Sequence, residues 1–191
     1  MSISLTKGQK ISLSKEVAGL SKVVVGLGWD AAKKKGLFGQ QYDIDCDASA
    51  IILGENDAYM GCVYYGDKTA LNRAVYHHGD NLTGDGDGDD EQITVDLSAM
   101  PQDVSKIIFT VNIYGCEARK QDFGMIENAF IRLVDSSTNN EICKFNLSEN
   151  YSGKTALIFA EVYKHDGEWK FNAIGQGTTD TSISNLVRRY K

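Results

Sequence analysis

Between Asp80 and Glu91 the chain reads DNLTGDGDGDDE: five aspartates and a glutamate in twelve residues, with no lysine, arginine or histidine among them. Two unit charges 4 Å apart repel by about 1 kcal/mol in water and about 4 kcal/mol at an effective dielectric near 20. Such a segment either splays its carboxylates into solvent or takes up a cation. Two other segments share this chemistry. Gly28-Trp29-Asp30 ends an apolar run, and Asp43-Ile44-Asp45-Cys46-Asp47 opens the next. In a strand, residues two apart face the same way, so Asp43, Asp45 and Asp47 are expected on one side. Three like charges there are destabilising unless something bridges them.

The oxygen-only donor set selects the ion. Calcium takes six to eight oxygens at about 2.3–2.6 Å in irregular geometry, whereas magnesium keeps more water and a stricter octahedron. Flexible carboxylates with no histidine among them favour calcium over zinc or iron. Gly84, Gly86 and Gly88 let the backbone bend and turn its carbonyls inward. The candidate ligands are Asp30, Asp43, Asp45, Asp47, Asp80, Asp85, Asp87, Asp89, Asp90 and Glu91. The loop is not an EF-hand. Asp90 stands where that loop requires glycine, and Asp96 where it requires glutamate.

Other chemistry is thinner. His77-His78 suggests a divalent-metal hydrolase, an alternative kept against the non-catalytic reading. Gly84–Gly88 lacks the Gly-Lys-Ser/Thr of a phosphate loop, and no Gly-x-Ser-x-Gly nucleophile motif occurs. Gly36-Leu37-Phe38-Gly39, after three lysines, would serve calcium-dependent membrane adhesion if it touched lipid. Folding of Leu37 and Phe38 onto the core is the favoured reading. Cys46, Cys62, Cys116 and Cys143 form no C-x-x-C pair, so they read as reduced thiols rather than a zinc site.

The elements that must position these residues are strands. The 191 residues fit one domain, 1–191, with a sizeable core. Net charge is −6, yet without the ten candidate acids 20 basic residues would face 16 acidic ones, a balance of +4. The acidity is therefore local, and no basic block with interleaved aromatics favours nucleic acid. Neither a secretory signal nor a long apolar span appears, so a cytoplasmic protein is expected. Alternation at 93–97, 107–113, 129–134 and 169–173 predicts half-buried strands. Apolar runs at 23–27, 50–53, 62–65, 142–147 and 156–163 predict buried ones. Asp166-Gly167 predicts a tight hairpin, and 136–140 another. The segment 117–124 reads as a surface loop. Ile183, Leu186, Val187 and Tyr190 predict a short C-terminal helix capped by Ser182 or Thr181. The whole reads as all-β, a two-sheet β-sandwich with a short C-terminal helix.

At these residues the chain resembles the TerD family of bacterial tellurite-resistance and general stress proteins. The likeness runs from Ser4-Leu5-Thr6-Lys7-Gly8 through Val25–Asp30 and Asp43–Ser49 to its most specific part, His78–Gly84 with Asp89–Glu91. Glu117–Gln121, Phe123-Gly124, Asn128–Arg132 and Gly167–Gly177 complete it. The resemblance implies a β-sandwich holding about two Ca2+ ions at one end, cytoplasmic stress tolerance, and no established reaction. It also implies partners among other stress or tellurite-resistance proteins. Carried onto matching positions, the implied ligands are Asp30, Asp45, Asp47, Asp80, Asn81, Asp85, Asp87, Asp90 and Glu91; Asp43 and Asp89 complete the candidate set. Asp85 stands where family members often have glutamate. The stretch 33–41 and the tail after Gly177 depart from the family pattern.

Overall fold

The structure is a computed structural model that describes residues 2–32, 44–79 and 88–191. Among the described residues thirteen strands form. They are β1 (Ile3–Leu5), β2 (Lys10–Ser12), β3 (Lys22–Ala31), β4 (Cys46–Gly54), β5 (Tyr59–Val63), β6 (Thr69–Ala70), β7 (Val75–His77), β8 (Glu91–Asp96), β9 (Val104–Ile113), β10 (Ile126–Asp135), β11 (Glu141–Asn146), β12 (Ala156–His165) and β13 (Glu168–Thr178). Three short helices join them: α1 (Leu13–Glu16), α2 (Cys116–Arg119) and α3 (Ile183–Val187).

The strands build two sheets. One has the order β1-β11-β10-β3-β8-β7-β6, the other β2-β13-β12-β9-β4-β5. Pairing is antiparallel except for β1 on β11. Between the sheets, Val25, Leu27, Ile93, Val95, Ile131 and Leu133 from the first meet Ala48, Ala50, Ile52, Phe109, Val111 and Phe171 from the second, all buried in one cluster. This is the expected β-sandwich. The alternation read at 93–97, 107–113 and 129–134 reflects it: every second residue faces this core.

The six-stranded sheet buries apolar residues on its outer face as well. Ile51, Leu53, Ile108, Ala156 and Ile158 point away from the main core and pack under Leu186 and Val187 of α3. Two-sided burial explains why β4 and β12 read as continuous apolar runs instead of alternating ones. The Ser182 hydroxyl accepts the Asn185 N–H at 3.3 Å, which settles the N-cap in favour of Ser182 over Thr181.

The hairpin at Asp166-Gly167 has positive φ at both residues, 55° and 76°, as a type I′ turn requires. Two expectations are corrected, and four short strands are added. Tyr64 and Tyr65 leave the strand, because Tyr64 and Asp67 exchange backbone hydrogen bonds in a turn. The expected loop at 117–124 contains α2 and a 3-10 turn at Phe123–Met125, with Phe123 buried. Strands β1, β2, β6 and β7, of two or three residues each, have no readable pattern at that length. Among the described residues no helix is long and apolar enough to cross a membrane.

Since α3 shields the outer core, Leu186→Ala, at a fully buried position, is expected to cost about 2–5 kcal/mol in urea unfolding. An unchanged midpoint would mean that the helix does not pack there in solution.

Candidate metal centre

The described candidate ligands, Asp30, Asp45, Asp47, Asp89, Asp90 and Glu91, sit where β3 ends and where β4 and β8 begin. Asp43, Asp80, Asn81, Asp85 and Asp87 lie outside the described residues, as do Gly36–Gly39, Gly84 and Gly86.

Glu91 starts β8 and points into the sandwich, where it is 2 % exposed. Its Oε2 accepts the Ala48 N–H of β4, in the other sheet, at 2.6 Å. His77, fully buried, stands beside it with Nε2 3.4 Å from that oxygen and 3.2 Å from the Ala48 carbonyl. The Gly79 N–H donates to His77 Nδ1 at 3.1 Å. This pattern assigns the ring proton to Nε2, which directs it at Ala48 and Glu91. Both nitrogens are thereby used inside the fold. His78 is exposed, with Nε2 2.8 Å from the Thr94 hydroxyl. Partial desolvation of the ring, and then the neighbouring His77, lower its pKa below the usual histidine value.

Asp89 lies over the outer face of the seven-stranded sheet. Arg132 grips it through Nε to Oδ1 at 2.6 Å and a terminal nitrogen to Oδ2 at 3.1 Å, and the Gln92 amide adds a bond at 3.0 Å. Arg132 also reaches Glu141 at 3.3 Å. Both oxygens of Asp89 are thus taken by protein donors, and the residue acts as an anchor for the end of the acidic segment. Gly26 makes room for it, since a Cβ there would overlap the Asp89 carboxylate. At Gly28 a Cβ would run into the Phe130 ring. The Val-Gly-Leu-Gly-Trp pattern of β3 is therefore steric: apolar residues face the core, and glycines lie beneath the covering groups.

Asp90 and Asp30 flank a groove of about 500 Å3 on that same side, with Asn128, Phe130 and Lys144 on its walls. The Asp90 carboxylate accepts the Trp29 N–H at 2.7 Å, and the Asn128 amide donates to Asp30 at 2.8 Å. Lys144 rests 3.7 Å over the Phe130 ring.

Asp47 belongs to the opposite side. Cys46 and Ala48 face the main core, so Asp47 faces outward from the six-stranded sheet, yet it is only 5 % exposed. Its register partner on β9 is Asn112, whose Nδ2 lies 3.5 Å from Asp47 Oδ2. Asn112 has no evident role in the sequence. Its only signal there is a polar residue on the face of β9 that carries Thr110 and Ile108. Asp45 immediately precedes β4, and its carbonyl accepts the Tyr114 N–H at 2.7 Å.

Electrostatically these residues share one end of the fold. Burial first, then the charges of Asp47, Asp45, Glu91 and Asp90, push the Cys46 thiol well above its ordinary pKa. The four thiols are free, and burial raises each of them. Among the described residues no three histidine, cysteine, aspartate or glutamate side chains cluster tightly enough to hold a metal unaided. The carboxylates divide instead into Asp30 with Asp90 on one side, Asp47 on the other, and Glu91 between them inside. Every one of these donors is a hard oxygen, which fits calcium.

Gly26→Ala should cost about 1–3 kcal/mol, because the added methyl must displace a carboxylate held by Arg132 and Gln92. Asp89→Ala in the same chain should recover much of that loss, giving a coupled double-mutant cycle in urea denaturation. Strictly additive effects would contradict the placement of Asp89 over Gly26.

The TerD domain family matches residues 1–190. The chain is 51 % identical to "Stress response protein SCP2" of Bacillus subtilis (strain 168), across 100 % of both proteins. It is 46 % identical to "Tellurium resistance protein TerD" of Serratia marcescens, across 93 % of this chain and 91 % of that one. Among solved structures, a homologue of the telluride resistance protein TerD from Streptomyces coelicolor A3(2) superposes with a TM-score of 0.67 at 20 % identity, covering 87 % of this chain and 95 % of its own. That likeness concerns the fold alone. With the family match spanning nearly every residue and close relatives aligning end to end, this chain belongs to the TerD family.

Proposed function

We propose that this chain is a non-catalytic calcium-binding module of stress response and tellurium resistance. It would take about two Ca2+ ions at its acidic end and offer the resulting surface to partner proteins, other stress or resistance proteins in the cytoplasm. The observation that carries this reading is the meeting of two acidic strand beginnings: Glu91, directly after Asp90, accepts the Ala48 N–H one residue beyond Asp47, and both Glu91 and Asp47 are almost wholly buried. Solvent does little to relieve repulsion between carboxylates it does not reach, and a bound cation would relieve it.

The division of the carboxylates supports two ions rather than one. Asp30 and Asp90 would serve the side of the seven-stranded sheet, and Asp45 and Asp47 the side of the six-stranded one. Glu91 would brace both by tying β8 to β4. Asp89, held by Arg132, would fix the acidic segment to the sheet. The non-catalytic reading draws support from the histidines. His77 is buried with both nitrogens committed, and the His78 Nε2 is engaged with Thr94. The relatives named for stress response and tellurium resistance supply the physiological setting.

Titrating calcium into chelator-treated protein should release or absorb heat with a stoichiometry near two. It should also raise the melting temperature, since a ligand bound only by the folded state adds RT ln(1 + [L]/Kd). Asp47→Asn should weaken one site by tenfold or more, while Asp103→Asn, exposed and remote in sequence from the candidate ligands, should leave both unchanged. A silent titration together with an unmoved melting temperature would reject the proposal.

A further inference from the structure

We infer that Asn112, on β9, supplies its side-chain oxygen to the cation on the Asp47 side of the fold. This rests on the calcium reading above and adds a ligand from a strand that carries none of the acidic segments.

The outer face of the six-stranded sheet holds a polar row among apolar neighbours. Asp47 lies opposite Asn112 in register, and Ser49 opposite Thr110. All four are buried: 5 % exposure for Asp47, 4 % for Asn112 and none for Ser49 and Thr110. Among the described residues the buried Asn112 Oδ1 has no hydrogen-bond partner, and neither do the Ser49 and Thr110 hydroxyls. Buried polar atoms are nearly always satisfied, and an orphan asks for a water or an ion. A hydroxyl can rotate and donate to a neighbour. An amide oxygen only accepts, so Asn112 Oδ1 needs either a donor or a cation.

The position beside Asp47 selects the cation. The Asn112 amide nitrogen is the atom now turned toward the carboxylate, at 3.5 Å. That is a long, weak hydrogen bond, so little holds the amide in this sense. Half a turn about the Cβ–Cγ bond exchanges nitrogen and oxygen and brings Oδ1 to the carboxylate side. Two acceptors would then face each other, a repulsive arrangement without a cation between them and a pair of hard ligands with one. A carboxylate and an amide carbonyl are both ordinary calcium donors. Adjacent strands in direct register hold them together with no loop involved.

Substitutions at Asn112 should separate calcium binding from the stability of the metal-free protein. Asn112→Leu removes a buried amide oxygen that has no partner together with the long bond to Asp47, two opposing effects, so the chelator-treated protein should melt close to the wild-type temperature. Its calcium affinity at one site should fall by tenfold or more, with the calcium-induced gain in melting temperature reduced accordingly. Asn112→Asp keeps an oxygen donor but places a second carboxylate beside Asp47. Its metal-free form should melt lower, and calcium should restore it with a larger gain than in wild type. Calorimetric titration and thermal melts, each with and without chelator, read both quantities. Calcium affinity in Asn112→Leu equal to wild type would overturn the inference and leave Asn112 a structural residue; Asn112→Ser replaces that variant if it does not fold. Absence of calcium binding by the wild type would remove the underlying reading itself, and that arm alone identifies this outcome.

Discussion

Glu91 leaves the seven-stranded sheet and gives its Oε2 to the Ala48 N–H of the six-stranded one, at 2.6 Å and out of reach of water. A β-sandwich normally closes by apolar contact alone, which is non-directional and tolerates sliding. A charge-assisted hydrogen bond across the gap does not. It fixes which residue of β4 stands beside which residue of β8, and breaking such a buried interaction costs about 3–5 kcal/mol because the charge is left behind. The two acidic strand beginnings are held in register by this contact. His77 reinforces it by turning Nε2 toward the same carboxylate and the same residue's carbonyl. The histidine that suggested catalysis from sequence is therefore part of the frame.

Around this clasp the two outer faces are finished differently. The six-stranded sheet is covered by its own C-terminal helix, so its outer surface becomes a second core with a polar row at one end. The seven-stranded sheet is pared down instead. Gly26 and Gly28 leave room for the Asp89 carboxylate and the Phe130 ring, and Arg132 and Lys144 lie over the same surface. Both oxygens of Asp89 are engaged by side-chain donors, a guanidinium and an amide. Its geometry is that of a tether, and a tether is what a glycine-rich segment needs if its other carboxylates are to be held near a common place.

The strands longer than five residues are legible in sequence because each writes its burial into a period of two or an unbroken apolar run. The Asp-Gly hairpin and the Ser182 cap are legible because their chemistry is local. Strands of two or three residues cannot display a period, and β1, β2, β6 and β7 are defined by neighbours distant in the chain. The candidate site divides along the same line. That Asp30, Asp45, Asp47, Asp90 and Glu91 carry acid chemistry is plain from composition. That Glu91 faces inward, that Arg132 takes Asp89 from 43 residues away, and that Asn112 opposes Asp47 all depend on strand register. One sequence does not record register between residues 65 positions apart, as Asp47 and Asn112 are.

The acidic end also bears on what kind of stability this fold has. Hydrophobic burial favours the closed sandwich in every solution; at the acidic end the Glu91–Ala48 bond adds to it, while mutual repulsion among the ionised carboxylates works against it. On the proposed reading, that repulsion makes the acidic end the part of the fold whose local opening a cation would change most. Bridging those charges by a cation would remove the strain only in the folded state, so the gain belongs to the local structure as much as to the global fold. On the proposed reading, calcium acts chiefly on the order of the acidic end, while the apolar body, with α3 closing its second core, persists without it.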